Sequence, residues 1–139
     1  VKRACFPVFQ IIGETLKTAD EIYNTNIINN SNLQVAFDFK DQSIKSLKAI
    51  SVGSNQSKIF VFLSNRDSSD IPLAIELNGK RVANTINYKY VSNPDLSATN
   101  GGNEVIPGRG KNEVTIQSWN GSADQLRIPG NSFGVIELQ

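Results

Sequence analysis

The chain has 139 residues, 19% of them charged, a formal net charge of +1, one cysteine and no histidine. That length suits one domain, which can bury roughly two-thirds of its unfolded surface without disulfide staples. The near-neutral balance excludes strong attraction to nucleic acid or an anionic membrane, and no apolar run approaches the ~20 residues that span a bilayer. Without histidine there is no Ser-His-Asp or Cys-His chemistry, and the commonest zinc ligand is missing. Cys5 is the one cysteine, so the chain has no internal disulfide framework. The chain opens on Val1 rather than methionine, as if cut from a longer one.

The first segment, Phe6 to Lys17 (FPVFQIIGETLK), predicts a helix. Pro7 suits the first helical turn, where its missing N–H is not needed. Phe9, Ile12 and Leu16 recur at helical spacing, with Val8 and Ile11 on an adjacent face. The apolar arc is wider than the single stripe that a rim helix needs, and predicts cover from more than one side. Gly13 costs up to ~1 kcal/mol relative to alanine unless something approaches the backbone there. A polar connector follows, with Ile22, Tyr23, Ile27 and Ile28 as isolated anchors.

From Leu33 the period changes to two. Leu33 to Phe39 alternates Leu33, Val35, Phe37 and Phe39 against Gln34, Ala36 and Asp38, the pattern of a half-buried strand. Leu47 to Gly53 alternates less clearly, with Ile50 and Val52 opposite Leu47 and Ala49. Lys58 to Asn65 is a continuous apolar run between polar turns and predicts a central strand covered on both faces. Leu73, Ile75 and Leu77 lead into Asn78-Gly79, a type I′ hairpin signal. Ile86, Tyr88 and Tyr90 share a face of the next strand. Between Val91 and Val105 the sequence is too polar and glycine-rich for a strand and reads as a long surface loop. Val114 and Ile116 then alternate against Thr115, Gln117 and Trp119. Phe133, Val135 and Glu137 alternate against Ile136 and Leu138 at the end of the chain. Seven or eight short strands with frequent turns predict a mainly β fold, an antiparallel β-sandwich preceded by one N-terminal α-helix. The expected organisation is a helix and connector over 1–32 and a sandwich over 33–139.

The order of helix, connector, sandwich and terminal IPGNSFGVIEL resembles the C-terminal region of (β/α)8-barrel glycoside hydrolases of the α-L-arabinofuranosidase, β-xylosidase and β-glucuronidase kind. Pro7, Phe9, Asn65, Arg66, Pro129, Ser132, Val135 and Leu138 carry it. The resemblance implies that the first helix is the last barrel helix and that the terminal strand is central to a sheet, entered through a turn at Pro129, Gly130 and Asn131. It also implies that the glycosidase carboxylate pair, which sits on barrel strand ends, is not in this chain. The implied partners are the catalytic barrel and a polysaccharide or oligosaccharide, with no nucleic acid and no membrane, and the implied localisation is extracellular.

Trp119 is the sharpest candidate for sugar contact, because an indole face matches the C–H patches of a sugar ring, and the amides of Gln117 and Asn120 can bond hydroxyls. Beside an Asn-Gly turn it can equally cap the core. Tyr88 and Tyr90 would make an aromatic platform spaced by roughly 7 Å if their face were exposed, but Ile86 on that face argues for burial. Phe37, Phe39, Phe60, Phe62 and Phe133 are expected in the core. Asn65, Asp67 and Asp70 offer oxygen ligands to Ca2+, against the plainer reading of an Asp/Ser turn. The glycines of NGGNEVIPGRG lack the strand-to-helix context of a phosphate cradle, and Glu104 and Glu113 have no spacing that supports an acid/base pair. Asn29, Asn55 and Asn120 open N-x-S sequons at a frequency that this composition yields by chance. The expected function is a non-catalytic ancillary module of a secreted glycoside hydrolase that binds polysaccharide through an aromatic and amide surface. The alternatives are a purely structural domain docked on a barrel, or a cell-surface adhesion sandwich.

Overall fold

The computed structural model describes residues 5–37, 40–93 and 114–138. Helix α1 spans Phe6–Leu16 with proline in its first turn, as the spacing predicts. It buries Pro7, Ile11 and Thr15, and the Thr15 hydroxyl donates to the Ile11 carbonyl at 2.8 Å. Strands β1 (Ala19–Tyr23), β4 (Leu47–Ser54), β5 (Ile59–Asn65), β9 (Thr85–Ser92), β10 (Ile116–Ser122) and β12 (Ser132–Leu138) form one six-stranded antiparallel sheet. Its order is β1-β4-β5-β12-β9-β10. The last strand therefore lies inside the sheet, hydrogen-bonded to β5 and β9, so the end of the chain is tied down on both sides. The apolar run of β5 is likewise internal, between β4 and β12.

Short ladders complete the fold: β2 (Asn32–Phe37) with β3 (Lys40–Lys45), β6 (Ile71–Pro72) with β11 (Arg127–Ile128), and β7 (Glu76–Leu77) with β8 (Lys80–Arg81). Asn78 and Gly79, both at positive φ, make the predicted β7–β8 hairpin turn. A 3-10 turn, Ala123–Gln125, precedes β11, and Arg81 reaches its Asp124 at 2.8 Å.

Register sorts the sheet into two covered faces. Leu63, Ile86, Tyr88, Ile136 and Leu138 pack with Leu73, Ile75, Val82, Ala123, Leu126 and Ile128 of the short-ladder layer. On the opposite side, Val91 and Val135 pack under Ile11, joined by Val8, Phe60, Phe62, Ile116 and Phe133. Alternation along β12 thus sends Phe133 and Val135 to the helix and Ile136 and Leu138 to the second layer. Phe62 and Phe133 stack with ring centroids 6.2 Å apart.

Two regions differ from the sequence expectation. The polar connector contains a strand, since β1 pairs with β4 (Ile22 opposite Val52) on the N-terminal side of the expected boundary at residue 32. Around Leu73, Ile75 and Leu77 the second layer has only the two-residue ladders β6–β11 and β7–β8 instead of full strands, because Pro72, Asn78 and Gly79 interrupt the alternation. Expectations for the side chain of Phe37, for Phe39, for the glycine-rich loop and for Glu104 and Glu113 fall outside the described residues.

Candidate functional site

The structure distributes the predicted aromatic and amide residues over two faces of the sheet. Tyr88 is only 1% exposed and sits in the core between the sheet and the short-ladder layer. Tyr90 packs on the same cluster, its ring 4.8 Å from that of Tyr88. With no free ring face, Tyr88 is a packing residue, as Ile86 beside it argues. The Tyr88 hydroxyl has no hydrogen-bond partner. Burial pushes this phenol up to about 12, opposed by the nearby Ser132 side chain and reinforced by Tyr90. The Ser132 hydroxyl itself donates to the Pro129 carbonyl at 2.6 Å.

Trp119 stands directly opposite Tyr88 on the outer strand β10, partly buried against the same core. Alternation does set it against Ile116, but its face is the covered sandwich side rather than a polar one, because both faces of this sheet are packed. Its indole lies over Gly121, where a Cβ would come within 2.6 Å of the ring, so the missing side chain makes the space. Gln117 shares this side, opposite Tyr90, and donates to the Ser92 carbonyl at 3.3 Å. Asn120 does not share it. It lies on the helix side, opposite Asn87, and its amide donates to the Asn87 side-chain carbonyl. The expected cluster of Trp119, Gln117 and Asn120 is therefore divided by the pleat.

Asn65, Asp67 and Asp70 are brought together, as parts of a clasp. The buried Asn65 amide donates to the carbonyls of Ser69, Ile128 and Pro129 at 3.0, 3.3 and 3.0 Å, while its oxygen accepts from the Asp67 N–H. Asp67 accepts from the Ser69 N–H and Asp70 from the Gly130 N–H, both at 3.0 Å. Gly130 approaches so closely that a Cβ would stand 2.2 Å from the Ser68 carbonyl oxygen. The turn after β5 is thereby fastened to the turn that enters β12. Among the described residues there is no group of three or more His, Cys, Asp or Glu side chains arranged to hold a metal ion.

The helix side of the sheet carries features that the sequence does not announce. Phe6, Phe9 and Leu16 are 40%, 67% and 48% exposed along the outer side of α1, with Gly13 between them and nothing within 4 Å of its would-be Cβ. Helix α1 contacts β9 and β12, which leaves Ile50 on β4 and Ile22 on β1 in the open at 59% and 80%. Beneath the C-terminal half of α1 lies a cleft of about 130 Å3, floored by Ile11, Phe60 and Val135 and edged by Glu14, Asn87, Lys89 and Glu137. Register is the reason for this grouping, since Phe60, Glu137, Asn87 and Asn120 come from four strands and form one row across the sheet. In the sequence, only the alternation of each strand hints at them.

No family model matches the chain, and no curated protein matches it. Solved structures do. The GH51 α-L-arabinofuranosidase from Thermotoga petrophila RKU-1 superposes with a TM-score of 0.72 over 99% of this chain, at 18% identity. The α-L-arabinofuranosidase from Thermotoga maritima, in its arabinose complex, gives 0.70 over 98% at 18% identity. The GH51 arabinofuranosidase from Xanthomonas axonopodis pv. citri gives 0.55 over 77% at 14% identity. The chain spans 29% of the length of the two Thermotoga enzymes. The helix-plus-sandwich resemblance carried by the sequence motifs is thus present in three dimensions, and the chain has the fold of a part of α-L-arabinofuranosidases amounting to under a third of their length.

Proposed function

We propose that this chain is a non-catalytic ancillary domain of a secreted glycoside hydrolase, and that it docks on the catalytic (β/α)8 barrel through α1 and the uncovered part of the sheet beside it. One observation carries this reading: α1 is apolar on two sides. Ile11 is closed against the sheet, while Phe6, Phe9 and Leu16 face outward around a bare Gly13. Exposed apolar residues in a group mark an interaction surface. The barrel is the occupant because the matched enzymes are more than three times as long as the segment they share with this chain. An open glycine in the stripe lets a partner helix come close to the backbone.

The test compares two lengths of protein. In this chain alone, Phe9→Glu is expected to leave the melting temperature within a degree or two and to raise solubility. In a longer chain that includes the barrel half, the same change is expected to lower the melting temperature or expose the junction to protease. Equal destabilisation of the short chain, or none in the long one, would overturn the docking surface.

Trp119 carries a second reading, polysaccharide binding at the outer strand. Its indole is partly open at the edge of the sheet, above Gly121 and beside exposed Gln117. Affinity electrophoresis on soluble xylan, glucan and arabinan tests it. Retardation that is lost in Trp119→Ala supports the site, and migration unaffected by every polymer rejects it.

A further inference from the structure

We infer that the cleft beneath the C-terminal half of α1 is a binding site for a single neutral sugar ring. Its floor is apolar, formed by Ile11, Phe60 and Val135, and its rim is polar. Small-molecule sites are built this way, with a few placed polar groups around an apolar surface. A sugar ring presents C–H patches to such a floor and hydroxyls to such a rim.

The rim decides the class of ligand. Asn87 uses its oxygen to accept from Asn120, which leaves its amide N–H groups as donors. Lys89 makes no ion pair among the described residues and adds a second donor. Glu137 is paired with Lys58 at 2.7 Å through one oxygen, and Glu14 accepts from Gln10 at 3.0 Å through one oxygen. Each carboxylate keeps its other oxygen as an acceptor. Donors from β9 and acceptors from β12 and α1 therefore border the same floor, and a hydroxyl can engage either.

Charge narrows the class further. Glu14 and Glu137 share the lining with Lys89, and Lys58, outside the lining, pairs with Glu137, so the charges around the cleft balance. An anionic ligand would meet two carboxylates, and a cationic one the Lys89 ammonium. A neutral polyol meets both as hydrogen-bond partners. Size points to a small ligand, because the cleft holds only about 130 Å3. This site lies on the opposite face of the sheet from Trp119 and stands whether or not α1 docks on a barrel.

Titration of 15N-labelled chain with L-arabinose, D-xylose and D-glucose, followed by amide chemical shifts, tests the assignment. Saturable shifts are expected at Asn87, Lys89, Glu137 and Glu14 with at least one of these sugars. Asn87→Ala is expected to weaken that binding about tenfold, the scale of one or two lost hydrogen bonds, and Trp119→Ala to leave it unchanged. Lys89→Gln serves the same comparison if Asn87→Ala loses its dispersed spectrum. Absence of saturable shifts with all three sugars overturns the site, and so do shifts confined to Trp119 and Gln117 or affinity unaffected by the cleft variants. None of these readouts depends on the docking surface, whose failure would appear in the melting temperatures of the longer chain instead.

Discussion

At the scale of single residues, Asn65 holds the most. Its side chain is buried and bridges the end of β5, the following turn and the segment that enters β12. Asn65→Ala would take this amide from the Ser69 and Ile128 carbonyls and the Asp67 N–H, while the Pro129 carbonyl keeps the Ser132 hydroxyl. Each buried group left unsatisfied costs about 1–3 kcal/mol, so a loss of about 2–4 kcal/mol is expected in urea unfolding. A loss below ~1 kcal/mol would show that water replaces the amide. Tyr88 makes a second prediction at this scale. Its phenol is raised to about 12 in the folded chain, whereas an unfolded tyrosine ionises near 10. Below pH 10 both states keep the proton and nothing is lost. Between pH 10 and 12 the unfolded state releases it first, so stability falls as pH rises, by on the order of 3 kcal/mol in full. Tyr88→Phe removes an unpartnered hydroxyl and is expected to flatten that part of the pH–stability curve while leaving neutral-pH stability equal or about 1 kcal/mol higher. An unchanged alkaline slope would show that other groups govern it.

At the scale of elements, α1 and β12 were both legible for one reason: a local period reports a local environment. Pro7 and the spacing of Phe9, Ile12 and Leu16 describe a helix whatever packs on it. The spacing does not say which stripe meets the sheet. Ile11, rather than Phe9 or Leu16, lies at the contact with Val91, Val114 and Val135. Ile11→Ala is therefore expected to cost about 2–4 kcal/mol, measured by chemical denaturation of this chain, while Phe9→Ala stays within about 0.5 kcal/mol. Equal costs would mean that the helix turns a different face to the sheet. Strand β1 was not legible, because Asp20 and Glu21 give it a polar pattern and its pairing with β4 is a long-range choice. Local propensity is silent about an edge strand whose ladder is supplied by a partner more than two dozen residues away.

At the scale of the whole molecule, one sheet is covered on both sides, by α1 and by the short-ladder layer. This explains why the strand faces read ambiguously. Alternation separates two faces, but it names the outer one only when one face meets water. Alternation against Val114 and Ile116 would put Trp119 on the outer face if the other face met water, but it lies on the packed side opposite Tyr88. The same architecture leaves β1 and β4 outside the cover of α1, where Ile22 and Ile50 extend the apolar surface begun by Phe6, Phe9 and Leu16. The proposed docking surface and the proposed sugar cleft both lie on this side of the molecule, and melting temperatures of the longer chain and sugar titrations of this one tell them apart.

The sequence by itself determined what depends on neighbours along the chain: the N-terminal helix, the alternation of β9 and β12, the double apolar face of β5 and the Asn78-Gly79 turn. These follow from backbone geometry and the burial period, which act within a few residues. Only the tertiary structure decided which strands are neighbours. That choice placed β12 between β5 and β9, made Asn65 a clasp between two turns, parted Asn120 from Trp119 and lined up Glu137, Asn87 and Asn120 across three strands. Register is a property of pairs of strands, fixed by packing between residues far apart in the chain, and no local pattern encodes it.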